Sequence, residues 1–142
     1  MTIAAILHTK GSEVVSVAPE QPVAEVVALL AERRIGAVPV IGGGAVLGVF
    51  SERDLVALLR DGDAAALSRP VSEVMTAPAV TVGIEDAVLA ALSLMTRRRL
   101  RHLPVIEGDR VIGIVSIGDL VKYRIERIEA EAAAMRDYIQ QA

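Results

Sequence analysis

At 142 residues, 53% of them apolar, and with a net charge of −3, the chain can bury a core without covalent staples and is too acidic for a general nucleic-acid binder. It has no cysteine, which excludes disulfides, thiol nucleophiles and Cys-based metal sites and fits a reducing compartment. Its three aromatic residues, Phe50, Tyr123 and Tyr138, are too few for a base-stacking platform.

The opening MTIAAILHTK has no basic region ahead of its apolar stretch and no room for a secretory signal. The longest uncharged run, Ile35 to Ser51, is interrupted by Pro39 and by glycines, unlike a membrane-spanning helix. A soluble, cytoplasmic protein with no membrane or nucleic-acid partner is the expectation.

From Val15 onward the chain is written twice. Shifting it by 65 residues aligns Val15–Val56 with Val80–Val121 without a gap, and seventeen of the forty-two positions are identical. Ahead of Val15 the register slips by three residues, in a piece that carries Lys10 and Gly11. Each copy opens on a short alternating strand, Val15-Ser16-Val17 or Val80-Thr81-Val82. Pro19-Glu20-Gln21-Pro22 and Glu85-Asp86 then start a helix. Val23, Val26, Val27 and Leu30 mark its buried face, as Val88, Ala91, Leu92 and Met95 do in the second copy.

Strands follow at Ala37–Ile41 and His102–Ile106, hairpin turns at Gly42-Gly43-Gly44 and Glu107-Gly108-Asp109, and second strands at Val46–Phe50 and Val111–Val115. The unit is β-α-β-β-α. Asp61-Gly62-Asp63 through Pro70 reads as the connector. The predicted organisation is an α+β (α/β) fold. It comprises a first repeat with connector over 1–66, a second repeat over 67–124 and a C-terminal helical extension over 125–142. Neither repeat is large enough to stand alone, so the two pack on each other and leave two related clefts between them.

The second strands run into SERDLV and SIGDLV at Ser51 and Ser116. A Ser three residues ahead of an Asp, before an apolar run, spells a capping box. The same place suits a ligand. A helix N-terminus favours an anion, and a carboxylate there can accept from paired hydroxyls such as those of a ribose. The carboxylate would repel a phosphate, so a cation must accompany it. Arg53 serves in the first copy, where the second has Gly118. Arg97 and Arg98 complement a helix dipole, whereas Arg101 and His102 enter the next strand and face the cleft. The first copy has Gly36 and Ala37 there. One cleft therefore combines Arg53 with Arg101 and His102, and the other keeps Ser116 and Asp119 with fewer cations.

IGAVPVI…VLGVFSERDLV and LRHLPVI…VIGIVSIGDLV, with VVSVAPEQPVAEVVALL and AVTVGIEDAVLAALSLM ahead of them, resemble a tandem pair of cystathionine-β-synthase-type (CBS) domains. The likeness covers nearly the whole chain and extends to small stand-alone bacterial pairs. It implies two repeats related by a pseudo-twofold axis, usually dimerised. It further implies adenosine-containing ligands, AMP or NAD(H) first and ADP, ATP or S-adenosylmethionine next. By that resemblance Asp54 and Asp119 take the ribose hydroxyls, and Ser51 and Ser116 lie near ribose or phosphate. Ser16 with Ile35, Gly36, Ala37 and Val38, and Thr81 with Leu100, Arg101, His102 and Leu103, bracket adenine. Lys10 joins this nucleotide-binding set. Gly118 departs from the family's frequent Arg.

Other chemistry finds little footing. Gly42-Gly43-Gly44 matches no phosphate-loop pattern, His8 and His102 are too few for a metal site, and no Ser–His–Asp set has a recognisable elbow. The expected function is a non-catalytic nucleotide sensor that signals through an unidentified effector protein. A structural dimer with vestigial sites, or an enzyme of unseen chemistry, is the alternative. Val121, Ile125, Ile128, Ala132, Met135 and Ile139 are spaced 4, 3, 4, 3, 4, a short heptad seam. It suits either a helix lying across its own domain or a dimerisation helix.

Overall fold

The computed structural model describes residues 1–62 and 64–141. Asp63, counted in the connector, and Ala142, counted in the C-terminal extension, lie outside the described residues. The chain folds as mixed α+β with two small sheets, in the order α1 (Ile3–Lys10), α2 (Val23–Arg33), β1 (Ala37–Gly42), β2 (Ala45–Ser51), α3 (Glu52–Arg60), β3 (Val82–Gly83), α4 (Val88–Arg98), β4 (His102–Glu107), β5 (Arg110–Ser116) and α5 (Ile117–Gln141). Short 3₁₀ turns at Ala64–Ser68 and Val71–Glu73 occupy the connecting region.

The repeat extends to the pairing register. β1 and β2 are antiparallel with a shift between Val40 and Ile41, and β4 and β5 carry the same shift between Val105 and Ile106. The equivalent helices α2 and α4 each end on an arginine in the left-handed region, Arg34 (φ 54°) and Arg99 (φ 55°). An αL residue just past a helix turns the chain toward the next strand, a place that glycine usually takes.

The first strand of each unit is shorter than its sequence suggests. Val15–Val17 reduces to a single parallel bridge from Val17 to Val40, and Val80–Val82 becomes the two-residue β3, pairing Val82 with Val105. Proline explains the limit. Val17 donates to the Pro39 carbonyl and accepts from Ile41, and one step further back the ladder would need an N–H from Pro39. Pro104 occupies the same position in the second repeat.

Helix α1 has no counterpart in the strand-first unit read from the sequence. Its apolar residues Ile3, Ile6 and Leu7 are buried, and they pack with Val82, Val88, Met95, Leu103, Val105, Val115 and Leu120 of the second repeat. Conversely Val71 is fully buried among Val17, Val23, Val26, Leu30, Val38, Val40 and Phe50 of the first. The backbone pairs Thr2–Ala87 and Pro22–Pro70 pin the two crossings at equivalent places, Pro22 and Ala87 being 65 residues apart and Thr2 and Pro70 68 apart, the repeat plus the three-residue slip. The two hydrophobic cores therefore do not follow a division at 66/67, because each repeat lends its leading segment to the other. Helix α5 also runs unbroken across the boundary expected at 124/125.

Glycines at the two sheet edges are matched to these arms. A Cβ on Gly48 would lie 2.6 Å from the Thr76 carbonyl oxygen and 2.7 Å from the Met75 sulfur. A Cβ on Gly113 would meet Leu7 Cδ2 at 2.7 Å, the tip of a side chain that can turn aside. Gly48→Ala must lift the Met75–Thr76 backbone off β2 and break its paired hydrogen bonds with Val49. It is expected to cost about 1–3 kcal/mol in urea unfolding, with Gly113→Ala costing less. Equal losses at the two sites would contradict the difference between a backbone and a side-chain obstacle.

Candidate functional site

Both Ser-x-x-Asp phrases form complete caps. At the start of α3, Asp54 N–H donates to Ser51 Oγ (3.3 Å) and Ser51 N–H donates to Asp54 Oδ2 (2.8 Å). At the start of α5, Asp119 N–H donates to Ser116 Oγ (3.1 Å) and Ser116 N–H to Asp119 Oδ2 (2.8 Å). The capping reading therefore holds in both copies. What separates them is the rest of each carboxylate's surroundings.

Asp54 lies in a cleft of about 240 Å³ between the repeats, lined on one side by Gly36, Val49, Ser51, Glu52, Arg53 and Asp54 and on the other by Thr76, Pro78, Ala79, Val80, Arg99, Leu100, Arg101 and His102. Its second oxygen, Oδ1, accepts from Thr76 Oγ1 (2.9 Å). Thr76 also exchanges two 2.9 Å backbone hydrogen bonds with Val49. Arg53 reaches over the cleft and donates to the Arg99 carbonyl (2.8 Å), which the left-handed turn at Arg99 presents. The walls between are aliphatic: Val49, Pro78, Ala79, Val80 and Leu100.

In the second repeat a lysine takes the part of Thr76, but on the cap oxygen of the aspartate rather than on its other oxygen. Lys10 Nζ donates to the Ile114 carbonyl (2.8 Å), the counterpart of Val49, and to Asp119 Oδ2 (2.6 Å). Burial alone would raise the Asp119 carboxyl. The Lys10 ammonium and the Ser116 donors outweigh it and hold the carboxyl below its ordinary value. One carboxylate thus meets a neutral hydroxyl in a cleft, and the other is paired with a cation from its own chain.

A family model described as "CBS domain" matches the chain twice, over residues 5–61 and 71–126. The chain belongs to the CBS-domain family. CBS domain-containing protein YhcV of Bacillus subtilis is 30% identical over 135 residues, 92% of this chain and 93% of that protein. The crystal structure of the CBS-domain containing protein ATU1752 from Agrobacterium tumefaciens has a TM-score of 0.83 at 40% identity, covering 87% of this chain and 99% of that one. The CBS domain pair of protein MJ0100, solved with 5′-methylthioadenosine and S-adenosyl-L-methionine, shares the fold at a TM-score of 0.75 and 18% identity, covering 89% of this chain and 98% of its own.

Within this CBS pair, Gly36, Ser51, Arg53, Asp54, Leu100, Arg101 and His102 of the expected set come together in the Asp54 cleft. Ser116, Asp119 and Lys10 meet one another at the other site. Val38 and Leu103 are fully buried in the two cores and Ala37 is nearly so, which leaves their side chains no face toward a ligand. Ser16, Ile35 and Thr81 do not line the Asp54 cleft. A Cβ at Gly118 would lie 3.6 Å from Ser116 Oγ, an ordinary contact, and the glycine offers no group of its own.

Gly36 earns its place through size. A Cβ there would stand 3.2 Å from His102 Cε1 and Nε2, so the missing side chain makes room for the imidazole. His102 itself differs from the cation expected of it. Burial first, and then the Lys10 ammonium, press its pKa below the ordinary value against the opposing pull of Asp119 and Glu52. At neutral pH it is an uncharged imidazole, and the formal positive charge at this cleft belongs to Arg53, Arg99 and Arg101. Sequence reasoning missed Thr76, Pro78, Ala79 and Val80. The TAPAV run at Thr76–Val80 lies across the three-residue slip, where repeat alignment loses its register.

Proposed function

We propose that the protein is a non-catalytic regulatory module that binds one adenosine-containing nucleotide per chain, in the Asp54 cleft. AMP and NAD(H) come first, then ADP, ATP and S-adenosylmethionine. The observation that carries this reading is the asymmetry of the two caps. Asp54 Oδ1 faces a cleft where only a hydroxyl partners it, and Asp119 is already neutralised by Lys10. A ribose diol can replace the Thr76 hydroxyl as donor to Asp54. Val80, Pro78 and Leu100 offer aliphatic surfaces for adenine, and Arg53 and Arg101 stand where a phosphate needs charge. The fold's occurrence in MJ0100 with two adenosine compounds supports the ligand class.

Signalling follows from where the cleft lies. A ligand that grips Asp54 on one repeat and Arg101 on the other biases their relative position by its differential affinity for the two arrangements. A homodimer read by an effector protein would carry that change onward, as an energy or redox signal in the cytoplasm. Among the described residues no helix is long and apolar enough to cross a membrane.

The test is thermal unfolding with AMP, NAD⁺, NADH, ADP, ATP and S-adenosylmethionine, followed by titration calorimetry of whichever ligand acts. A specific ligand at about 100 times its Kd is expected to stabilise the protein by about 2.7 kcal/mol, with one site per chain. No shift with any adenosine compound would leave a structural module with vestigial sites. Conversion of the nucleotide during incubation would make the protein an enzyme.

A further inference from the structure

Helix α5 runs for 25 residues, about 37 Å at the usual rise, and carries an apolar seam that its own chain leaves uncovered. Val121 (41% exposed), Ile125 (50%), Ile128 (48%), Met135 (60%) and Ile139 (63%) lie along it, with Ala132 between. Of the two readings the heptad allowed, a helix packed across its own domain is therefore excluded for this face. Leu120, one residue from the seam, is fully buried and anchors the helix start in the second core.

The charges beside the seam distinguish between the ways a second copy could lie on it. Taking Ile125, Ala132 and Ile139 as a positions and Val121, Ile128 and Met135 as d positions, the e positions are Lys122, Glu129 and Arg136 and the g positions Arg124, Glu131 and Tyr138. Two parallel helices set each g residue against the e residue five places on in the partner. Arg124 then faces Glu129, and Glu131 faces Arg136, each pair occurring twice by symmetry. Two antiparallel helices with the same core layers set Glu129 against Glu129, Glu131 against Glu131, and Lys122 against Arg136. Every charged contact is attractive in the first arrangement and repulsive in the second. Within the chain, Glu131 is paired only loosely, with exposed Arg127 at 3.9 Å.

We infer that α5 forms a parallel two-stranded coiled coil with α5 of a second copy of this chain. The inference rests on the homodimer proposed above and names its surface and orientation. Because the chain has no cysteine, an introduced one reports orientation directly. In the parallel arrangement two copies of residue 139 are neighbours, whereas in the antiparallel one residue 139 lies opposite residue 121.

Sedimentation of the full chain is expected to give two chains per particle. Ile128→Asp should give one chain, with helix content by circular dichroism and ligand binding retained by the globular part. Ile139→Cys should form a disulfide-linked dimer on mild oxidation. Arg136→Glu should weaken the dimer, and the double variant Glu131→Arg/Arg136→Glu should restore it. A monomeric wild type would overturn both the homodimer and this inference. A dimer that survives Ile128→Asp, or that fails to cross-link through Ile139→Cys, would overturn the inference alone and place the dimer contact elsewhere.

Discussion

Asp54→Asn is expected to weaken nucleotide binding about 10- to 100-fold while leaving the melting temperature of the free protein nearly unchanged. The two oxygens of Asp54 have separate tasks. Oδ2 accepts from Ser51 N–H and closes the cap, and Oδ1 faces Thr76 and the cleft. An asparagine can keep its carbonyl oxygen on Ser51 N–H, and asparagine supports helix starts nearly as well as aspartate. Its NH₂ then points into the cleft, where a carboxylate oxygen accepted before, and a ribose hydroxyl meets a donor. Hydrogen bonds to charged groups contribute about 1.5–3 kcal/mol, and every 1.4 kcal/mol is a factor of ten in affinity. Calorimetric titration and a melt of the free variant measure both quantities. A large stability loss with unchanged affinity would reduce the phrase to a cap alone.

Lys10→Met is expected to change the binding stoichiometry, from one ligand per chain to two. The ammonium sits on the cap oxygen of Asp119, neutralises the carboxylate and so competes with a ribose for it, and its removal leaves a carboxylate capped as Asp54 is. Methionine keeps the length of the stem without the charge. The acid response should change with it. Asp119 is held below its ordinary value, so its contribution to stability is complete above the unfolded value of 3.8 and is lost as pH falls through the still lower folded one. Without Lys10 the shift shrinks, and stability should fall less steeply below about pH 4 in the variant than in the wild type. The His102 pKa should rise part of the way back toward its ordinary value, because the lysine is the second cause of its depression after burial. Two sites in the wild type, or one site in the variant, would show that Lys10 does not close the second cleft.

How much of this was legible in the sequence depends on the distance over which each feature is specified. The hairpins β1–β2 and β4–β5 are local, and turn glycines with alternating valines spell them out at both copies. The caps are equally local and were readable from four residues each. Helix α1 was not. Its apolar residues Ile3, Ile6 and Leu7 acquire meaning only against a core more than seventy residues away. The same holds for Thr76 and Lys10, whose roles come from the opposite repeat and are hidden by the three-residue slip in the alignment. The neutral state of His102 follows from burial beside Lys10, and neither is visible from the basic run RRRLRH that suggested a cation.

The crossing of the leading segments bears on how the molecule holds a signal. Between Val71 and Val82 the chain leaves one hydrophobic core and enters the other, and Thr76 to Val80, midway, forms a wall of the Asp54 cleft. That stretch is a tie rod rather than a loop. Neither repeat can melt without pulling a buried residue of the other, so the pair should unfold as one cooperative body. Any guest seated against the rod presses on both cores at once, and movement of one repeat cannot be kept from its twin.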